Sequence, residues 1–418
     1  MSRIAFVTPP FAGHFNPLFA LALAARDAGY EIEFITGPRK SAVIRRHRLT
    51  PLALRSIGDD TLESIANTAE PVTNNPLRLL AQFRQNLRLL PAIGEELEQL
   101  WRTNPPALVV ADSVAPIAGL VAERLRLPWI TTIATPFALE ARRGTPTYCG
   151  GWMPASNALE QARDAAGRAA IHIFKRTVGF LFRKEFRQLG LSSLYRSKDN
   201  GGSEAIYSPH AILGFGLREL EFERDWPPCF EMIGPVIAAP EPASPLLLPD
   251  AHPRVLVTVG THLLWAKREL VEQVVALSRA WPEVHFIVSL GEAESSVTPF
   301  TQAADRVRVY PFVAYQENLE RFDAIIHHGG AGVTYAALLA GVPSLVVPHD
   351  YDQFDYAARL AYHGLGLRVR SLSQAAEALP RLLDRVQWPA LTRFQVYARA
   401  YEPEKAFLAT VKQFAVPA

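Results

Sequence analysis

The strongest chemical signal in this 418-residue sequence is a glycine-rich turn, His328-Gly329-Gly330-Ala331-Gly332-Val333. An apolar run (323–326) precedes the turn and a helical pattern rich in Ala and Leu (335–340) follows it. Glycines let backbone amides approach an anion closely, and a helix N-terminus favours negative charge. His328 can donate a further hydrogen bond to such an anion. The turn therefore predicts a phosphate site, although tight packing alone also produces such turns.

A second connection between a strand and a helix follows soon after the first. Gly341-Val342-Pro343 leads into an apolar strand (344–347), and a helical pattern opens after Asp352-Gln353. Loops at the carboxyl ends of parallel strands meet at one edge of a sheet, where α/β folds bind ligands. A carboxylate and an amide can accept from and donate to sugar hydroxyls. The sequence thus predicts a sugar site beside the phosphate site.

Two residues far apart in the first half could form a catalytic pair. His14 lies in a loop after the first strand (4–7), and Asp112 ends a buried strand (107–112). Histidine is the usual general base near neutral pH, and a buried carboxylate can fix its tautomer. The alternative interpretation is a surface histidine and a carboxylate that caps the following helix. We predict that the helix after the His14 loop starts at Asn16-Pro17, with Asn16 as its N-cap.

The loop around His14 also excludes one function. A dinucleotide-binding fold would require G-x-G-x-x-G after the first strand, and Phe11-Ala12-Gly13-His14-Phe15-Asn16 does not supply it. We therefore expect no dinucleotide in the first half.

Composition narrows the class of protein. Hydrophobic residues make up 49% of the chain, and 43 Lys and Arg balance 41 Asp and Glu, so we expect a large core and no nucleic-acid partner. Cys149 and Cys229 are too few and too far apart for a disulfide framework or a zinc site. The N-terminus lacks a signal peptide pattern, and no apolar run reaches transmembrane length. We expect a soluble cytoplasmic protein.

Two α/β series divide the chain. A stretch rich in Pro and Ala (238–253) is the predicted linker between a first domain (1–237) and a second (254–400), and a helical tail (401–418) follows. The segment from His172 to Arg187 mixes apolar and basic residues at helical spacing. We favour an ordinary surface helix, and the alternative is a helix that contacts a membrane surface.

An ordered set of motifs resembles a known family. Val313-Ala314-Tyr315-Gln316, His328-Gly329-Gly330, Gly341-Val342-Pro343 and Asp352-Gln353 occur in the order of the donor signature of nucleotide-sugar-dependent glycosyltransferases. The similarity is to the UDP-glycosyltransferase superfamily (family 1), in particular its bacterial natural-product and carotenoid type. It implies a GT-B fold, which consists of two Rossmann-like α/β/α domains whose parallel sheets face each other across a cleft. It also implies that the tail helix crosses back to the first domain.

The resemblance further implies an activity and a set of site residues. The activity is an inverting transfer of a hexose from a nucleotide sugar to a hydroxyl of a small hydrophobic acceptor, with His14 as base and Asp112 as its partner. Amides and His328 would carry the leaving-group charge, so we expect neither a metal nor another cofactor. The acceptor-binding candidates are Phe11 and Phe137. The donor-binding candidates are Gly260, Thr261, Val313, Gln316, His328, Gly330, Gly332, Val333, Asp352 and Gln353.

Two positions need a separate interpretation. Ala336 stands where many members carry a Glu that binds both ribose hydroxyls, so a UDP sugar is expected first and a TDP sugar, with one ribose hydroxyl fewer, second. Asp350-Tyr351-Asp352 is a D-x-D string, which binds a metal in a different glycosyltransferase fold, and we interpret it here as coincidence. Two other functions remain open: a non-catalytic protein that binds nucleotide sugars, and an envelope enzyme with a lipid acceptor.

Overall fold

Two seven-stranded sheets, one in each half of the chain, form the frame of the molecule. The computed structural model describes residues 2–56, 58, 61, 76–196, 203–237, 246–261, 263–292 and 300–415. The first part of the predicted linker, residues 238–245, lies outside these ranges. The second part is described, and Leu246 packs into the core of the second half.

The first sheet is entirely parallel, with the strand order β3-β2-β1-β4-β5-β6-β7. Its strands are β1 (Arg3–Val7), β2 (Glu31–Thr36), β3 (Thr50–Ala53), β4 (Leu108–Asp112), β5 (Trp129–Ile133), β6 (Ile212–Gly214) and β7 (Phe230–Met232). Most strand residues are buried, because helices cover both faces of the sheet. Those helices are α1 (Ala12–Asp27), α2 (Ser41–Arg46), α3 (Pro76–Thr103), α4 (Pro116–Arg124), α5 (Ala158–Leu181) and α6 (Arg183–Gln188).

Helix α1 begins at Ala12, earlier than the start predicted at Asn16. Phe11 is extended and occupies the N-cap position, and its carbonyl accepts the amide of His14 at 2.9 Å. Pro17 therefore lies inside the helix, where its missing amide costs one hydrogen bond. His14 consequently lies in the first turn of a helix, and the predicted N-cap role of Asn16 is wrong.

The second sheet is parallel except at one edge, with the order β10-β11-β9-β8-β12-β13-β14. Its strands are β8 (Arg254–Thr258), β9 (His285–Ser289), β10 (Thr301–Ala304), β11 (Val307–Tyr310), β12 (Ala324–His327), β13 (Ser344–Val346) and β14 (Gly366–Arg368), of which β10 runs antiparallel to β11. The helices are α7 (Leu264–Ala280), α8 (Tyr315–Asn318), α9 (Ala331–Ala340), α10 (Gln353–Tyr362), α11 (Ala375–Leu383), α12 (Pro389–Ala400) and α13 (Pro403–Val411). This confirms the predicted α/β class with two parallel-dominated sheets.

The last helix leaves the second half and packs on the first sheet. Phe407 and Val411 of α13 join the apolar cluster that contains Phe6 of β1. The rings of Phe6 and Phe407 are 5.8 Å apart. The hydroxyl of Tyr30 donates to the carbonyl of Ala415 at 3.0 Å. Among the helices of the described ranges, none is both long and apolar enough to cross a bilayer.

Candidate functional site

The first sheet brings His14 and Asp112 into contact. Nδ1 of His14 lies 3.0 Å from Oδ1 and 3.1 Å from Oδ2 of Asp112, although 98 residues separate them in the sequence. Asp112 ends β4 and is fully buried, and its Oδ1 also accepts the amide of Val114 at 2.8 Å. The predicted pair therefore forms at the carboxyl edge of the sheet.

The carboxylate sets the protonation of the imidazole. Burial lowers the pKa of His14, but the charge of Asp112, its hydrogen bond and the charge of Asp352 outweigh burial, so the pKa lies above the ordinary 6.5. Because Asp112 accepts from Nδ1, the neutral ring carries its proton there and presents the Nε2 lone pair. His14 keeps a partly exposed side chain, so Nε2 can accept a proton from a bound hydroxyl.

Two glycine turns of the second sheet close around His328. A Cβ on Gly330 would lie 2.5 Å from Nε2 of His328, and one on Gly260 would lie 2.7 Å from its Cε1. Gly260 also has φ +75°, a conformation that favours glycine. The imidazole therefore lies against both turns, and a larger residue at either position would have to displace it.

The neighbouring histidine has a different role. His327 ends β12 and is buried, and its Nδ1 accepts the amide of Gly329 at 3.0 Å. Burial lowers the pKa of His327 to about 3, so the ring is neutral at physiological pH. It holds the start of the glycine turn in place, a role that the sequence alone did not assign.

Asp352 lies between the two halves. Its Oδ2 accepts from the hydroxyl of Thr135 at 2.7 Å, which joins the loop after β13 to the loop after β5. Burial raises the pKa of Asp352, while the hydrogen bond from Thr135 and the charge of His14 oppose this shift. The preceding Tyr351 has φ 51°. The carboxyl edges of the two sheets therefore face each other, with His14 on one side and Asp352 on the other.

Gln353 supports the same loop from within. Its Oε1 accepts the amides of His349 at 2.8 Å and Asp350 at 3.1 Å, and its side chain is buried. The amide oxygen is thus already used to shape the loop that carries Asp352.

Comparisons with known proteins agree with this arrangement. Residues 278–393 match the family described as "Erythromycin biosynthesis protein CIII-like, C-terminal domain". The chain is 27% identical over 374 residues to the zeaxanthin glucosyltransferase of Pseudescherichia vulneris, with 88% of this chain and 86% of the relative covered. It is 26% identical over 427 residues to the 4'-demethylrebeccamycin synthase of Lentzea aerocolonigenes, with 97% and 96% covered.

A solved structure supports the same fold. The glycosyltransferase SsfS6 of Streptomyces sp. SF2575, complexed with thymidine diphosphate, is similar with a TM-score of 0.66 at 19% identity, over 99% of this chain and all of that one. The chain is a nucleotide-sugar-dependent glycosyltransferase with a GT-B fold. The order of its donor motifs and its two facing sheets agree with this activity and this fold.

The remaining donor candidates of the glycosyltransferase differ in how open their surroundings are. Val333 is the first buried residue of α9. A Cβ on Gly332 would meet no atom within 4 Å, so the turn is open at Gly332. The side chain of Val313 is buried in the apolar cluster with Val333 and has no face open to a nucleobase. Nε2 of Gln316 donates to the carbonyl of Ile237 at 2.8 Å, where the chain leaves the first half.

Phe137 does not lie where an acceptor could touch it. Its side chain is fully buried, its ring packs 4.9 Å from that of Tyr356, and the guanidinium of Arg359 lies 3.9 Å from its centroid. Arg359 in turn donates to Glu221 at 2.8 Å. In this structure Phe137 joins the two halves, which corrects its assignment to the acceptor site. Phe11, the other acceptor candidate, is half-buried beside His14.

Ala336 and the D-x-D string also have clear surroundings. Ala336 is buried on α9 within the apolar cluster that contains Val313. Oδ1 of Asp350 accepts the amide of Tyr351 at 3.1 Å, whereas Asp352 binds Thr135, so the two carboxylates have different partners. Within the part of the chain that the structure describes, no group of three or more His, Cys, Asp or Glu is arranged to hold a metal ion.

Sequence reasoning missed two polar residues of the cleft. Thr135 follows β5, which pairs with β4, and Thr132 of β5 lies opposite Asp112. The rule that the carboxyl ends of parallel strands share one edge of a sheet could have identified Thr135. Lys267 lies in the first turns of α7, and its Nζ donates to the carbonyl of Thr261 at 3.0 Å. Burial lowers the pKa of Lys267. Nothing in the spacing of the sequence indicated that this ammonium group reaches the Gly260-Thr261 turn.

Proposed function

We propose that this glycosyltransferase moves a hexose from a nucleoside diphosphate sugar to a hydroxyl of a small hydrophobic acceptor, with inversion at the anomeric carbon. The observation that carries this proposal is the contact of 3.0 Å between His14 and Asp112, beside Asp352 of the opposite sheet. A base, its orienting carboxylate and a group for sugar hydroxyls thereby lie around one cleft.

The reaction is a single displacement. The acceptor oxygen attacks the anomeric carbon while its proton passes to Nε2 of His14, and the bond from that carbon to the diphosphate oxygen breaks. The electron pair of the broken bond leaves with the diphosphate. Asp112 holds the ring in the required tautomer and stabilises the imidazolium that forms. Attack from the side opposite the leaving group inverts the configuration.

The donor would be held mainly by backbone groups. Amides at the start of α9 and the side chain of His328 would carry the charge of the departing diphosphate, so this step needs no metal or other cofactor. Asp352 and Gln353 would bind hydroxyls of the transferred sugar, and Gly260 and Thr261 would contact the diphosphate from the other turn.

We propose UDP as the first donor nucleotide and TDP as the alternative. The resemblance of the donor motifs favours UDP, whereas Ala336, which offers no polar group to a ribose hydroxyl, and the thymidine diphosphate in the SsfS6 structure support TDP. The relatives named for zeaxanthin and demethylrebeccamycin support a hydrophobic acceptor. Both cysteines are free thiols, which is compatible with the proposed cytoplasmic location.

Thermal stabilisation by UDP, TDP, GDP, ADP and NAD, each without metal and then with magnesium or manganese, tests the donor assignment. A ligand that binds only the folded state raises the melting temperature by mass action. We expect UDP or TDP to stabilise the protein without metal. A response that requires metal would assign a role to the D-x-D string, and a response to NAD alone would overturn the proposal. With the stabilising donor identified, the anomeric configuration of the product, read by NMR, tests inversion.

A further inference from the structure

Helix α5 exposes an apolar stripe that the fold does not use. Five of the twelve large apolar side chains that are exposed in the described part of the chain lie on this one helix. They are Leu159 (82% exposed), Ile173 (63%), Phe174 (43%), Phe180 (66%) and Leu181 (54%), and we call them the outer stripe. Its exposure separates α5 from an ordinary surface helix, on which the outward face is polar.

The outer stripe is continuous along the helix. At about 100° per residue its five members fall within roughly a third of the helix circumference. Exposed small residues fill the gap between Leu159 and Ile173, namely Ala162, Ala166, Ala169 and Ala170. The 24 residues of α5 extend over about 36 Å, so the stripe forms a long apolar edge on the surface of the first half.

The opposite face of the helix holds α5 in place. Val178 is buried in the cluster with Phe182 and Phe186, and the Phe182 ring contacts that of Phe83 on α3 at 5.3 Å. Lys175 donates to Glu204 at 2.6 Å. Because these inward contacts anchor the helix, the outer stripe is not needed for folding.

Cations surround one end of the stripe. Arg176, Arg183, Lys184 and Arg187 are exposed, and none of them forms an ion pair with another described residue. The guanidinium of Arg183 lies 4.7 Å from the centroid of the Phe180 ring. Arg84 of α3 adds a further exposed guanidinium, 5.4 Å from the Phe182 ring. Glu185, the acidic residue within this run, is half-buried.

We propose that this face of α5 docks on an anionic lipid bilayer. The helix would lie in the plane of the membrane, with the outer stripe among the upper acyl chains and the cations over the headgroups. A second copy of the chain could cover apolar side chains, but charge complementarity favours lipid, because anionic headgroups supply the partners that these cations lack among the described residues. The docking is independent of the proposed transfer reaction.

Sedimentation with lipid vesicles, without nucleotide, tests the proposal. We expect the full chain to sediment with vesicles of phosphatidylcholine and phosphatidylglycerol at low salt, and much less with phosphatidylcholine alone. Added salt should weaken the binding because it screens the cations. Equal and weak sedimentation with both vesicle types would overturn the proposal, whatever the activity of the protein.

Two variants and a matched control locate the surface. Ile173→Gln/Phe180→Gln should reduce partitioning by roughly tenfold or more, since it removes inserted apolar groups. Arg183→Ala/Lys184→Ala should reduce it by about twenty-five-fold, at about fivefold for each cation. The control is Val386→Gln/Val396→Gln, which changes two exposed valines of the second half, and it should bind like the wild type.

The same variants distinguish lipid from a second copy. Their melting temperatures should match that of the wild type, because the altered side chains are exposed. If the control loses as much binding as the α5 variants, the docking face is wrongly placed. If instead light scattering shows a dimer that Ile173→Gln/Phe180→Gln dissociates, and vesicles do not bind, the outer stripe is a contact between copies and the membrane proposal fails.

Discussion

The two edges of the cleft are built from different chemical groups. On the first sheet the reactive groups are side chains, and the contact between His14 and Asp112 depends on two strand ends that meet. On the second sheet the main groups are backbone amides, and Gly260 and Gly330 leave only enough room for His328. Substitutions on the first edge should therefore affect the rate of the reaction, and those on the second should affect the binding of the donor.

The largest expected effect comes from His14→Ala. Removing the general base should lower kcat by about 100- to 10,000-fold and leave donor affinity unchanged. Steady-state kinetics and nucleotide titration together measure both quantities, and the exposed His210 provides the control His210→Ala. Unchanged turnover with intact donor binding would instead favour a non-catalytic nucleotide-sugar binding protein as the function of this fold.

Asp112→Asn should slow the reaction by about 100-fold or more, because the ring loses the carboxylate that fixes its tautomer. The variant should also change the dependence on pH. His14 acts when neutral, and its pKa lies above 6.5, so wild-type kcat should fall as the pH drops through a value above 6.5. Without Asp112 the pKa should fall, and the loss of activity should move to lower pH. Profiles with the same midpoint, or an equal loss of donor affinity, would mean that Asp112 is structural.

Gly330→Ala tests the second edge. The new methyl group would lie 2.5 Å from Nε2 of His328 and must displace the ring. We expect this displacement to weaken donor binding by about 1 to 3 kcal/mol. Calorimetric titration with UDP or TDP should show the weaker affinity. Gly332→Ala is the matched control, since its Cβ meets no atom within 4 Å. Equal effects of the two substitutions would mean that displacement of His328 does not cause the loss of donor affinity.

Lys267→Met should give the smallest effect, a loss of donor affinity of about tenfold or less. The ammonium group lies at the carbonyl of Thr261, on the turn proposed to hold the diphosphate. Lys412→Met changes an exposed lysine on the tail and should leave affinity unaltered. A change in kcat alone, with affinity unchanged, would contradict the assignment of Lys267 to the donor edge.

The sequence predicted the strands and helices best where burial determines the pattern of apolar residues. β4 was predicted as a strand over 107–112 and occurs over 108–112, because its run of apolar residues lies in the middle of the first sheet. β10 was not predicted, since its exposed residues at the sheet edge show no apolar pattern. The start of α1 was misplaced because Pro17 suggests a helix N-terminus, whereas the helix accepts it internally. The segment 172–187 belongs to two helices, separated at the buried Phe182.

The candidate site was harder to predict from the sequence than the strands and helices were. Positions next to strand ends indicated His14 and Asp112, and the order of the motifs indicated the glycine turn. The hydrogen bond between Thr135 and Asp352 depends on how the two halves pack, and residue spacing carries no information about that packing. The same holds for Phe137, whose aromatic character suits an acceptor site as well as it suits the buried contact with Arg359.

The contact of α13 with the first sheet has a consequence for biosynthesis. Phe407 and Ala415 complete the apolar cluster around β1 and α1, yet they are synthesised after all strands of the second sheet. The first half therefore leaves the ribosome with part of its core uncovered. That apolar surface stays exposed while the second half is synthesised. Its native packing is completed only after residues 407–415 are made, so a chain terminated before them would leave part of the first sheet uncovered.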